Sequence, residues 1–253
     1  QLNKARHIIR DDLIIPFYQP KVRLSDAKVV GFEALLRWQT SDNQVHFPKN
    51  VEQAFQDYVL ATRISDAIQN KVFADISTWM KQKLQLVPVS INAAPVEFLK
   101  DNYAERLLHR LSQYKIPHHL IEIEITEQIL DDRGSDYVVR ALTLLKQNGV
   151  RIALDDFGTG HSSLTRLRDY PVDCLKIDCD FIRRMNHDPA ISAIVEAIVA
   201  LGPKLSLDIV AEGIENIEQL ELLKLSGCTI GQGFLFSKAV SHQQATLMLG
   251  KTV

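Results

Sequence analysis

The chain has 253 residues, 46% hydrophobic and 24% charged, with a formal net charge of -2. This composition excludes a disordered chain, and the near-neutral balance excludes a global basic field that would gather a nucleic-acid polymer. No apolar run approaches the roughly 20 residues that span a bilayer, and no signal peptide opens the chain.

In chain order, Gln1–Asp11 reads as a polar lead-in helix or linker, and residues 12–253 read as one domain. Because it begins at Gln1 rather than Met, the chain is expected to be a cytoplasmic domain of a longer protein, with a sensor or membrane anchor upstream. Pro16–Val22 and Val29–Trp38 are the first strand-like runs. The residues between them, Arg23–Lys28, are too few for a helical crossover, so an antiparallel hairpin is expected. Further runs follow at Pro88–Ala93, Ile121–Thr126, Arg151–Phe157, Cys174–Asp178, Asp208–Ile214 and Ile230–Phe236. Amphipathic stretches at Tyr103–Tyr114, Val138–Asn148, Ile191–Leu201 and Ile217–Ser226 alternate with them. Gly149 and Gly227 stand where two of these helices need a left-handed cap. The pattern is α/β with parallel pairing: a closed barrel with one irregular strand, or an open doubly wound sheet. Cys174, Cys179 and Cys228 are odd in number, lack metal-ligand spacing and read as reduced thiols.

A buried parallel strand should read as a continuous apolar run. Here nearly every run is apolar until its C-terminal end, where Asn92, Glu124, Asp155, Asp156, Lys176, Asp178, Glu212 and Gln232 appear in turn. Each alone is accounted for by a helix N-cap or a salt-bridged loop. Repeated on six strands and joined by Glu33 inside Val29–Trp38, the pattern points to one polar mouth. Glu33, Glu124, Asp155 and Asp156 cannot share a small pocket with Asn92 unless a cation compensates them. Hard oxygen donors without His or Cys suit Mg²⁺ or Mn²⁺ and argue against zinc. Adjacent aspartates can feed two ions, the common arrangement for phosphodiester hydrolysis. Lys176 would lie beside them, and Glu212 is free to act as a base. The histidines show no HxH or HExxH pairing and read as surface or loop residues.

Glu33-Ala34-Leu35-Leu36-Arg37-Trp38 resembles the signature of the EAL domain, the cyclic diguanylate (c-di-GMP) phosphodiesterase module of bacterial signalling. Tyr18-Gln19-Pro20, Ser90-Ile91-Asn92 and Glu124-Ile125-Thr126-Glu127 support it. So do Asp155-Asp156-Phe157-Gly158-Thr159-Gly160, Lys176-Ile177-Asp178, Ala211-Glu212-Gly213-Ile214-Glu215 and Gly231-Gln232-Gly233, all in the family's order. The resemblance implies a modified TIM (β/α)8 barrel with an antiparallel first strand, and hydrolysis of c-di-GMP to linear pGpG. It implies metal ligation by Glu33, Asn92, Glu124, Asp155 and Asp156, water orientation by Lys176, and Glu212 as general base. Gln19, Leu35, Arg37, Asp178, Glu215 and Gln232 would contact the substrate, with Arg37 facing a phosphate. Glu127 would anchor the loop from Asp156 to Ser163 that couples the site to a homodimer. Two Mg²⁺ or Mn²⁺ ions are implied as cofactors, with Ca²⁺ inhibitory. His161, Ala94, Ala239 and the stretch Gln39–Phe55 depart from the family pattern, but no ligand is lost. Two other readings are a receptor that binds c-di-GMP without cleaving it and a protein-interaction module.

Overall fold

The computed structural model describes residues 1–131, 135–157, 167 and 170–250. β1 (Ile14–Arg23) and β2 (Val29–Gln39) form the expected hairpin, with Gln19 opposite Glu33. β2 pairs parallel with β4 (Val89–Asn92), and β4 with β5 (Ile121–Thr126). The parallel ladder runs on through β6 (Arg151–Phe157), β7 (Cys174–Ile177), β8 (Asp208–Ala211) and β9 (Ile230–Gly231). β9 then pairs antiparallel with β1, Val22 opposite Gly231, and closes the ring. That last pairing excludes the open sheet. A short β3 (Val45–His46) adds to the end of β2 outside the ring. The fold is a modified TIM barrel whose first strand opposes both neighbours.

Strand alternation sorts the side chains. Ile121, Ile123 and Ile125 of β5, Ile152 and Leu154 of β6, and Leu175 and Ile177 of β7 point outward into the main apolar core. α3 (Tyr103–Tyr114) and α5 (Ser135–Gln147) cover that face; α7 (Pro189–Leu205) and α8 (Ile217–Leu225) follow later in the chain. α5 and α8 end in the anticipated left-handed caps at Gly149 (φ 87°) and Gly227 (φ 88°). In both, the next two amides bond back to the last turn: Gly149 to Lys146 and Val150 to Leu145, Gly227 to Lys224 and Cys228 to Leu223.

Two features were not anticipated. The lead-in is the expected helix, α1 (Leu2–Arg10), but it buries Ala5 and Ile8 in the common core. α2 (Tyr58–Lys81) is the longest helix among the described residues, capped by Asp57, whose side chain accepts from the Leu60 amide. Its buried stripe includes Ser65 and Gln69, and these polar positions blur an otherwise helical periodicity. α4 (Gln128–Asp131), α6 (Cys179–Arg184) and α9 (His242–Met248) are short connecting helices. α9 docks through Trp79, whose Nε1 donates to Thr246 Oγ1 at 2.7 Å and whose ring stacks on half-buried His242. The three cysteines are free, and no helix among the described residues is long and apolar enough to cross a membrane.

Candidate active site

The inward positions of the strands meet in one polar interior. Glu33 comes from β2, Asn92 from β4, Glu124 from β5, Asp155 from β6 and Lys176 from β7; Glu212 and Gln232 directly follow β8 and β9. The Lys176 side chain is fully buried. Its ammonium lies 2.6 Å from Glu124 Oε2, 2.9 Å from Glu212 Oε1, 3.3 Å from Asp155 Oδ2 and 3.6 Å from Glu33 Oε2. The Glu33 carboxylate is gripped from both sides, by Asn92 Nδ2 at 3.0 Å and Gln232 Nε2 at 2.7 Å. Burial alone would raise its pKa, but Lys176 and Lys21 hold it below the ordinary carboxylate value. Glu212 has no comparable surplus of donors. Burial, with Asp155, Glu33 and Glu124 nearby, pushes it well above that value despite Lys176.

Adjacent strand residues normally point to opposite faces, yet Asp155 and Asp156 both serve the mouth. The β6 backbone solves this locally. Pairing with β7 slips between Leu154 and Phe157, and Asp156 takes a left-handed φ of 56°. Asp is among the few non-glycine residues that accept this conformation readily. The turn brings carboxylate oxygens of Asp155, Asp156 and Glu212 within 4.8 Å of one another. Burial, then Asp155 and Asp178, raise Asp156 to about 6. Four carboxylates (Glu33, Glu124, Asp155, Glu212) therefore crowd Lys176 and Asp156 joins them beside Asp155 and Glu212, an oxygen-rich set with unbalanced negative charge that fits hard divalent cations.

Two close approaches hold the loops carrying Glu212 and Gln232. Gly213 has φ 72°, and a Cβ there would come within 2.5 Å of the Cys179 side chain. A Cβ on Gly233 would meet the Ile214 backbone at 2.2 Å, where Ile214 N donates to Gln232 O. The other proposed contacts are spread around the rim. Leu35 and Arg37 follow Glu33 on the same face of β2, and the Arg37 guanidinium stacks 4.4 Å from the centroid of Phe47, a 61% exposed ring. Gln19 Nε2 donates to Ser237 O. Asp178 caps α6 through the Asp180 amide and also faces Asp156. Glu215 is exposed, and Glu127 directly follows β5. Residues 158–166, including His161 and most of the loop from Asp156 to Ser163, lie outside the described residues.

Sequence reasoning missed a second polar layer beneath the mouth. Lys21 Nζ is 2.5 Å from Ser90 Oγ and 2.9 Å from both Glu122 Oε1 and Glu124 Oε1. Arg151 joins Glu122 to Asp208 below. Polar residues are thus not confined to strand ends but alternate inward along the strands, as Gln19-x-Lys21, Ser90-x-Asn92 and Glu122-x-Glu124. That period of two was the available signal.

The EAL domain family model matches residues 2–239. The chain belongs to the EAL domain family. Among similar proteins, the signaling protein YkoW of Bacillus subtilis is 35% identical over 94% of this chain and 30% of its own length. The bifunctional diguanylate cyclase/cyclic di-GMP phosphodiesterase MucR of Pseudomonas aeruginosa is 33% identical over 96% of this chain and 35% of its own. The chain thus spans about a third of these relatives. The structure of the PaMucR phosphodiesterase in its c-di-GMP complex superimposes with a TM-score of 0.89 at 32% identity, covering 96% of this chain and 98% of that one.

Proposed function

We propose that this EAL domain hydrolyses c-di-GMP to linear pGpG. The observation that carries the proposal is the convergence of Glu33, Glu124, Asp155 and Glu212 on the buried Lys176 at the barrel mouth, with Asp156 beside Asp155 and Glu212. Glu33, Asn92, Glu124, Asp155 and Asp156 would hold Mg²⁺ or Mn²⁺. Such ions lower the pKa of water and neutralise phosphate charge. Lys176, fixed by its carboxylate neighbours, orients the attacking water. Glu212 takes the water's proton, and its raised affinity for protons suits an acceptor. The water oxygen forms a bond to phosphorus, the bond to the leaving ribose oxygen breaks, and that oxygen regains a proton. Arg37, presented by Phe47, meets a phosphate oxygen, and Gln232 Oε1, buried without a partner among the described residues, can accept from the substrate. Gln19, Leu35, Asp178 and Glu215 border the groove. A homodimer and upstream sensory domains complete the proposed setting.

The test is incubation with c-di-GMP and Mg²⁺, Mn²⁺ or Ca²⁺, following pGpG by chromatography. Product with Mg²⁺ or Mn²⁺ and little with Ca²⁺ is expected. Calorimetric binding without turnover under any metal, in folded protein, would instead mark a receptor.

A further inference from the structure

We infer that Lys21 is a positioning residue for Glu124, holding one carboxylate oxygen so that the other alone serves the mouth; this rests on the metal-dependent reading above. Lys21 lies one layer below the mouth, 5% exposed, on the inward face of β1. Glu124 is bracketed by two lysines: Lys21 holds Oε1 at 2.9 Å and Lys176 holds Oε2 at 2.6 Å. Oε2 is the oxygen directed toward Glu33, Asp155 and Glu212, through their shared neighbour Lys176.

The other contacts of Lys21 are less dependent on it. Glu122 Oε1 also accepts from Ser90 Oγ at 2.7 Å, and Glu122 Oε2 accepts from Arg151 at 3.3 Å. Glu124 Oε1 has no donor except Lys21 among the described residues. Removing the ammonium therefore releases one carboxylate oxygen in particular. With Oε1 released, Glu124 can ligate a cation through Oε2 alone or through both oxygens, and the choice moves the cation relative to Lys176 and Glu212. Geometry of this kind is set by the groups behind a ligand as much as by the ligand. A cavity of about 220 Å³ on the lower side of Lys21 leaves room for a substituted side chain.

The test is Lys21→Met. Infrared difference spectra of Mn²⁺-loaded against metal-free protein read the Glu124 carboxylate stretch, identified by its loss in Glu124→Gln. Wild type should give the splitting of one-oxygen ligation, and Lys21→Met that of two-oxygen ligation; identical spectra overturn the inference. Turnover should fall at least about tenfold in kcat, with KM changed less than about threefold and Mn²⁺ affinity by calorimetry not weakened. Unchanged kcat, or full recovery with excess Mn²⁺, would reduce Lys21 to a support of the fold and overturn it too. If Lys21→Met does not fold, Lys21→Met/Glu122→Gln removes opposite charges together and carries the same readouts. Should wild type fail to turn over c-di-GMP, the functional reading falls while the infrared comparison still decides the role of Lys21.

Discussion

Asp156 combines a left-handed backbone with a carboxylate raised to about 6 by burial and by Asp155 and Asp178. Its backbone and its charge can be separated, because Asn tolerates the same conformation. Asp156→Asn should leave the melting temperature unchanged or higher, since a like-charge contact disappears. If it feeds a second ion, the Mn²⁺ concentration for half-maximal turnover should rise about tenfold or more. A metal titration beside a thermal melt separates the two effects; an unchanged metal requirement would remove Asp156 from the ligand set. Glu33 differs, because Asn92 and Gln232 aim its carboxylate from both sides. Glu33→Ala should therefore lower kcat and kcat/KM together, by on the order of a hundredfold or more, and weaken Mn²⁺ binding measured without substrate. Near wild-type kcat would refute its assignment.

At the scale of elements, the β1–β2 hairpin was legible because Arg23–Lys28 is too short for anything else. The caps at Gly149 and Gly227 were legible because glycine alone adopts that φ without strain. The convergence of Glu33, Glu124, Asp155, Lys176 and Glu212 was legible from charges standing in apolar runs. The slip in β6 was not, since two neighbouring aspartates do not announce which one bends the backbone. Lys21 was hidden because a lysine on a hairpin strand reads as solvent-facing, and its partners are distant in sequence. Ala94 is informative in another way. It caps the short 3₁₀ turn Pro95–Leu99, and Glu97 Oε2 reaches back to its amide at 2.9 Å; the Glu97 amide donates to the Ala94 carbonyl at 3.0 Å, because alanine has no side-chain oxygen. Ala94→Ser adds a side-chain acceptor for the amides of the first turn and should stabilise the domain by about 0.5–1 kcal/mol. Denaturant titration reads this directly, and no gain would mean that the turn is already fully satisfied.

For the whole molecule, Glu97 links that turn to the pH dependence of stability. It is completely buried, accepts from Ser65 Oγ at 2.8 Å and from the Ala94 amide, and leaves Oε1 without a donor among the described residues. The cations nearby are committed elsewhere: Arg106 and Arg110 both pair with Asp66. Burial therefore dominates and raises Glu97 from 4.5 to about 7. The folded protein then holds this proton to a higher pH than the unfolded chain does. Below about 4.5 both states are protonated and the group contributes nothing to the slope. Between about 4.5 and 7 the unfolded chain has lost the proton while the folded state keeps it, so stability falls by about 3 kcal/mol across that window and levels off once the pH passes 7. Other carboxylates titrate in the same range, so the readout is a difference between proteins. Glu97→Gln keeps an acceptor for Ser65 and Ala94 and removes the titration. Denaturant unfolding at pH 5.5 and pH 8.5 should show the variant losing less stability than wild type over that interval and exceeding it at the upper end. Parallel curves for the two proteins would mean that Glu97 ionises at its ordinary value in the folded barrel.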